Sequence, residues 1–372
     1  MNVCEFSPSY VRAIAPYQPG KPISEVAREF SLDETKIIKL ASNENPLGIS
    51  PLARAAIEKE LSELSRYPDG NAFDLKAALA KRLALDTAQI VIGNGSNDLL
   101  EMLAGAFLAP GAAAVFSQHA FAIYPLATQA RGAKCISVPA KNFAHDLDAM
   151  LRAITPETRL VFIANPNNPT GTFASGKEID SFLLRSPKEV VVVLDEAYNQ
   201  YIPEEMRYDS LQILKAHPNL VVLRTFSKIY GLAGLRVGFG AMSAAVADIL
   251  NRVRQPFNVN SLALAAACAA LNDDAFVERS FRNNLEGMRQ LEGGFRDLGL
   301  AYIPSCANFI SFQVPREGGK PMGNAVFERL LRQGVIVRPV AGYEMPDHLR
   351  VTVGTGAENQ AFLGALARAL KV

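Results

Sequence analysis

The chain carries almost no excess of either charge: 38 lysines and arginines stand against 37 aspartates and glutamates, a formal net charge of +1. Nucleic acid is drawn in by a field of cations, so that class of partner is not expected, and any anion must be held by a few placed side chains. Cysteine is also scarce. Cys4, Cys135, Cys268 and Cys306 lie far apart and make no C-x-x-C pair, which argues against a disulfide framework or a metal site and fits a reducing compartment. No apolar run approaches the roughly twenty residues of a membrane span. The opening MNVCEFSPSYVRAIAPYQPGKP has an acid and prolines where a secretory signal has a continuous apolar segment. A soluble cytoplasmic protein is expected, without membrane contact. Internal repeats and low-complexity segments are missing as well.

What is present is a rhythm. At 372 residues the chain has room for two domains. From about residue 71, short apolar runs alternate with longer segments of helical spacing such as 97–108 and 177–184. The runs at 90–92, 113–116, 160–164, 190–194 and 220–223 are apolar on consecutive positions, which marks strands buried on both faces. Strands alternating with helices imply βαβ units and an α/β fold with a mostly parallel sheet. Past about residue 275 the texture changes to helix-like 275–298, a helical stretch near 326–333 and strands that alternate, which suggests a smaller α+β C-terminal domain. The first forty residues, rich in proline and without a clear period, read as an arm that packs on something else. The expected division is 1–45 (arm and part of the small domain), 46–275 (large domain) and 276–372 (small domain).

In parallel sheets the ligand sits beyond the carboxyl ends of the strands, so polar residues that directly follow the apolar runs are the first suspects. After Ile92 comes G-N-G-S-N-D and a helix, where Gly95, Ser96 and Asn97 offer backbone N–H groups to a phosphate. The match to a dinucleotide fingerprint is incomplete, because the last glycine is replaced by Asp98 and no acidic residue ends a second strand at the required distance. After Ala164 comes N-P-N-N-P-T-G, a tightly turned loop with more amide than a turn requires. After Leu194 come Asp195, Glu196 and Tyr198. A buried aspartate needs a cation or a strong donor; capping the next helix is its structural alternative. The last strand end carries Thr225, Ser227 and Lys228, with Arg236 eight residues beyond the lysine. A phosphate cradle, an amide, a buried carboxylate with a nearby phenol and a lysine together suit pyridoxal 5′-phosphate: the lysine forms a Schiff base and the carboxylate keeps the pyridine nitrogen protonated, while phenol and amide hold the ring oxygen.

The order N-P-N-N-P-T-G, V-V-V-L-D-E-A-Y, T-F-S-K-I-Y-G-L-A-G-L-R-V-G resembles fold-type I aminotransferases, and most closely the histidinol-phosphate aminotransferase family. The likeness extends from A-P-Y-Q-P-G and L-A-S-N-E-N-P through R-Y-P-D-G to L-R-V-T-V-G. It implies a seven-stranded, mostly parallel sheet in the large domain and assigns Lys228 as the covalent anchor and proton-moving base. Asp195 would pair with the pyridinium nitrogen, and Tyr198 and Asn168 would bond the ring hydroxyl oxygen. Ser96, Asn97, Thr225, Ser227 and Arg236 would hold the cofactor phosphate, with Tyr67 reaching it from the other subunit of a homodimer. Where many relatives place a tyrosine over the ring face, this sequence has Phe121, with Tyr124 three residues on; stacking needs only a π face.

The same likeness puts Arg350 on the substrate's anionic group through a bidentate contact. Arg338, set between apolar neighbours, either joins it or points outward along a strand edge. With Tyr17 from the partner's arm, the two arginines would suit a phosphate ester as well as the α-carboxylate of glutamate. Residues of the arm such as Tyr17, Asn43 and Glu44 would help read the side chain. The implied reaction converts histidinol phosphate and 2-oxoglutarate to imidazole acetol phosphate and glutamate in histidine biosynthesis. An aromatic amino acid aminotransferase or, less favoured, a threonine-phosphate decarboxylase has the same lysine, aspartate and arginines. A nicotinamide-dependent oxidoreductase would leave Lys228 and Asp195 without a role. A non-catalytic regulator of this fold usually has an added DNA-binding domain, for which the length leaves no room.

Overall fold

The computed structural model describes residues 2–371. A short strand β1 (Ile38–Lys39) precedes seven strands that form the main sheet: β2 (Ile90–Gly93), β3 (Ala113–Ser117), β4 (Lys134–Val138), β5 (Thr158–Ala164), β6 (Val191–Asp195), β7 (Leu220–Thr225) and β8 (Gly238–Ala241). Their spatial order is β2-β8-β7-β6-β5-β3-β4. Only β8 runs against its neighbours, so the fold is α/β with a mixed, mostly parallel sheet, as expected.

Consecutive apolar residues are explained by burial on two faces. Phe162, Val193 and Leu223 pack into one core beneath the helices Ser96–Phe107 and Ile123–Ala130. Their neighbours Val161, Val192 and Val222 pack into another beneath Gly176–Arg185 and Ser210–Ala216. Each such side chain withdrawn from water contributes about 1.5–3 kcal/mol, and period-two alternation delivers that on both faces at once.

Two strands were not among the apolar runs. β4 lies at the sheet edge with Lys134 and Ser137 exposed, and β8 is half glycine, G-F-G-A. Gly238 is required there because a Cβ would lie 2.8 Å from the backbone nitrogen of Ser96.

The C-terminal strands are β9 (Tyr302–Ile303), β10 (Phe309–Gln313), β11 (Val335–Ile336), β12 (Arg338–Pro339) and β13 (His348–Thr352). β12, β13, β10 and β9 make an antiparallel sheet. Its core includes Phe312, stacked on Phe295 of the long helix Asp274–Asp297 at 4.7 Å, and Phe362 of the helix Gly356–Ala369. β1 pairs in parallel with β11, which ties the N-terminal segment to this unit.

That segment differs from the irregular arm expected. Residues Ile23–Phe30 form a helix whose Ile23, Val26, Ala27 and Phe30 recur at three- and four-residue spacing and pack with Ile37, Leu331 and Ile336. The period was present but spans only eight residues between prolines and a left-handed Ser31. Among the described residues, no helix is long and apolar enough to cross a membrane.

Candidate active site

β5, β6 and β7 end side by side, and their register places Asp195 opposite Ala164 and Leu223. The carboxyl ends of these strands open into a cleft lined by side chains of the main sheet and of the C-terminal sheet, the place where open α/β sheets bind ligands. Asp195 is buried. It accepts hydrogen bonds from the Tyr124 hydroxyl at 3.0 Å and the Ala197 N–H at 3.2 Å. Burial raises its pKa to about 6, against the pull of those two donors.

Lys228 follows the end of β7 by three residues. Its ammonium donates to the Ser42 carbonyl at 3.4 Å and lies 5.5 Å from the Tyr198 ring centre. Burial, followed by the Arg350 charge, lowers its pKa to about 8. At pH 7.5 such an amine is roughly a quarter neutral, where an ordinary lysine is about 0.1% neutral. Nucleophile and base are therefore available near neutrality.

One part of the cleft is built for an anion. The helix Ser96–Phe107 begins without a side-chain cap, behind Gly95 at φ 77°, so its first N–H groups are open. A Cβ on Gly95 would collide with the Arg236 guanidinium. Arg236 Nη1 donates to the Ser227 hydroxyl at 3.1 Å and to the Ala233 carbonyl at 3.0 Å. Its own backbone is left-handed at φ 59°, an unfavourable conformation for a long side chain and one that recurs at functional sites. The Thr225 hydroxyl accepts from the Ser227 N–H at 3.1 Å and fixes the turn. These donors fit a phosphate group.

A pair of cations comes from the C-terminal antiparallel sheet. Arg338 and Arg350 are directly paired across β12 and β13. Arg350 donates to Asn168 Oδ1 at 2.5 Å and to the Ala41 carbonyl at 2.9 Å, and its buried Nε has no partner among the described residues. Arg338 donates to the Gln18 carbonyl at 2.7 Å and lies over the Tyr17 ring at 5.7 Å. It lines the cleft rather than pointing outward along the strand edge.

Ser96, Asn97, Phe121, Asn168, Tyr198 and Asn43 also line the cleft. Asn43 joins the main sheet's side of the cleft to the C-terminal strands: its Nδ2 donates to the Tyr198 hydroxyl at 2.9 Å, and its carbonyl accepts from Asn308 at 3.0 Å. Gly95 stands behind the wall as the residue preceding the helix. Glu44 pairs with Lys39 at 2.9 Å instead of lining the cleft. Tyr67 is also outside; it is 83% exposed and stacked on Phe257 at 4.8 Å.

Tyr17 was expected from a partner's arm. Here it lines the cleft of its own chain, where Arg338 of β12 holds Gln18 and the Tyr17 ring. The bond from Tyr124 to Asp195 and the placement of Tyr343 emerge only in three dimensions. Tyr124 is fully buried, parallel to Phe162 at 4.8 Å, and bonds Asp195. Phe121, partly buried, meets it edge-on at 5.8 Å. Tyr343, in the turn between β12 and β13, also lines the cleft; no pattern in the sequence marks it.

Residues 35–366 match the family model described as aminotransferase class I and II, so the chain belongs to that family. It is 59% identical, over 100% of its length and 93% of the relative's, to histidinol-phosphate aminotransferase 2 of Nitrosospira multiformis. It is 58% identical to histidinol-phosphate aminotransferase of Methylobacillus flagellatus, covering 99% of this chain and 98% of that one. The crystal structure of histidinol-phosphate aminotransferase from Sinorhizobium meliloti in complex with pyridoxal-5′-phosphate superposes with a TM-score of 0.90 at 27% identity, covering 98% and 97% of the two chains. The family expected from the strand-end motifs is the family found.

The Lys228 environment has a direct readout. In cofactor-free protein, amine-directed acylation of Lys228, followed by peptide mass spectrometry, should rise with pH and reach half its maximum at about 8. The neutral amine is the reactive form, and the depressed pKa shifts its appearance down. A midpoint above about 10, the range of an ordinary lysine, would contradict this picture of the cleft.

Proposed function

We propose that this chain is a pyridoxal-phosphate-dependent transaminase that converts histidinol phosphate and 2-oxoglutarate to imidazole acetol phosphate and glutamate, a step of histidine biosynthesis. The observation that carries the reading is a lysine amine and a carboxylate set in one cleft with two distinct anion sites, Arg236 with the open helix end and Arg338 with Arg350. One anion site suits the cofactor phosphate and the other the anionic group of the substrate. Full-length likeness to proteins named histidinol-phosphate aminotransferase selects the substrate.

Joined through its aldehyde to an amine, pyridoxal phosphate supplies an electron sink for the pair left when a carbon–hydrogen bond beside that amine is broken. Lys228 Nζ is its covalent anchor and, once displaced by the substrate amine, the base that takes the proton from the substrate's amine-bearing carbon. Asp195, ionised above about 6, holds the positive charge of the pyridine nitrogen. Tyr124 and the Ala197 N–H fix the carboxylate's direction.

Tyr198 and the Asn168 amide N–H groups serve the ring hydroxyl oxygen, with Asn168 Oδ1 occupied by Arg350. Phe121 stacks on the ring. Ser96, Asn97, Thr225, Ser227 and Arg236 hold the phosphate, and Gly95, lacking a Cβ, leaves room for the Arg236 guanidinium. Arg350 and Arg338 bind the substrate phosphate in one half-reaction and the glutamate α-carboxylate in the other, with Tyr17 and Asn43 beside them. The orphaned Arg350 Nε supports this, since a buried donor without an acceptor costs about 1–3 kcal/mol until a ligand supplies one.

The reading includes a cytoplasmic homodimer in which Tyr67 reaches the partner's cofactor phosphate. Leu61, Leu64, Tyr67 and Phe73 form an exposed apolar stretch, each more than half exposed, suited to a second copy. Light scattering should give twice the chain mass of 40.2 kDa; a mass of one chain would remove this part. The substrate is tested by comparing kcat/KM for histidinol phosphate, phenylalanine and tyrosine with 2-oxoglutarate as acceptor. Histidinol phosphate should lead by at least about tenfold. A lead of that size for phenylalanine would make the chain an aromatic amino acid aminotransferase.

A further inference from the structure

The turn Ala341–Tyr343 joins the two strands that carry Arg338 and Arg350, and it is fixed from outside. The His119 ring binds the Tyr343 carbonyl through Nδ1 at 2.7 Å, and Gln118 donates to the Glu344 carboxylate at 2.6 Å. Val340 and Met345, on either side of the turn, are buried with Ile303. The main chain of Tyr343 is therefore clamped between the end of β3 and the small domain, while its ring faces the cleft with Tyr17, Arg338 and Arg350. Among the described residues, no hydrogen bond occupies its hydroxyl, whereas the Tyr198 hydroxyl is bonded to Asn43. The phenol is raised above its ordinary pKa, chiefly by burial, so it stays a neutral O–H donor throughout the working range.

A carboxylate has two oxygens in one plane, and the fork of a single guanidinium satisfies both. A phosphate ester has three terminal oxygens in a pyramid, so when two meet the fork the third stands out of its plane and needs another donor. We propose that Tyr343 is a specificity-determining residue whose hydroxyl binds that third oxygen, favouring phosphate-bearing amines over amino acids at the same arginines. This inference rests on the histidinol phosphate reading above.

The test is Tyr343→Phe, which keeps the ring and the carbonyl held by His119 but removes the hydroxyl. Both half-reactions are followed in the holoenzyme by single-turnover absorbance, with histidinol phosphate or glutamate as donor. A hydrogen bond to a charged group corresponds to roughly 10- to 100-fold, so kcat/KM for histidinol phosphate should fall by that factor, mainly through KM. The glutamate half-reaction should change less than about threefold. Equal losses on both donors, or no loss on either, would overturn the proposal while leaving the substrate reading intact. Failure of the unsubstituted enzyme to use histidinol phosphate would overturn both.

Discussion

Among the described residues, the cleft brings together four cations, Lys228, Arg236, Arg338 and Arg350, with a single lining carboxylate, Asp195. Arg350 is buried, Lys228 and Arg338 are partly buried and Arg236 is exposed, so the cost of withdrawing an ion from water, several kcal/mol unless compensated, falls chiefly on Arg350. The three guanidiniums here are solvated by neutral acceptors: Ser227 and Ala233 for Arg236, Gln18 for Arg338, and Asn168 and Ala41 for Arg350. Such dipoles hold a cation in place without cancelling its charge. One residue beyond Asp195, the opposite solution appears. Glu196 is buried and takes two bonds from Arg224, at 3.0 and 2.9 Å, and another from Ser210 at 2.9 Å. That pair is closed and structural; the cleft stays open to anions.

Burial sets the titration of the reactive groups, and the neighbouring charges adjust it. Arg350 adds to burial in lowering Lys228 to about 8, while Asp195, raised by burial to about 6, is restrained by Tyr124 and the Ala197 N–H. Between these values the carboxylate is ionised and part of the amine is neutral. The fold supports this through its seams: Asn43 links Tyr198 to Asn308 and Thr352, and the short parallel pair β1 with β11 anchors the segment that carries Asn43.

Much of this was legible in the sequence because the sheet is buried on both faces. A run such as V-V-V-L ended by Asp195 has few interpretations, and the order of strand-end residues carries the cofactor chemistry. What was not legible follows physical lines. β4 is an edge strand with a solvent-facing side, and β8 uses glycine to let the Ser96 backbone approach, so neither reads as an apolar run. The helix Ile23–Phe30 is too short for its period to stand out. The bond of Tyr124 to Asp195 is not visible until the helix Ile123–Ala130 is set against β6, and Tyr343 is indistinguishable from a turn tyrosine until the β12–β13 turn reaches the cleft. Tyr17 lines the cleft of its own chain; a sequence shows that an arm needs a surface, but not which chain supplies it.

In the proposed function the cofactor joins the chain at the poised amine of Lys228. Borohydride reduction of the purified protein, followed by proteolysis and mass mapping, tests it directly. A pyridoxyl phosphate adduct confined to the peptide containing Lys228, near one per chain, is the predicted result. An adduct on a different lysine, or none in protein that catalyses transamination, would contradict the account.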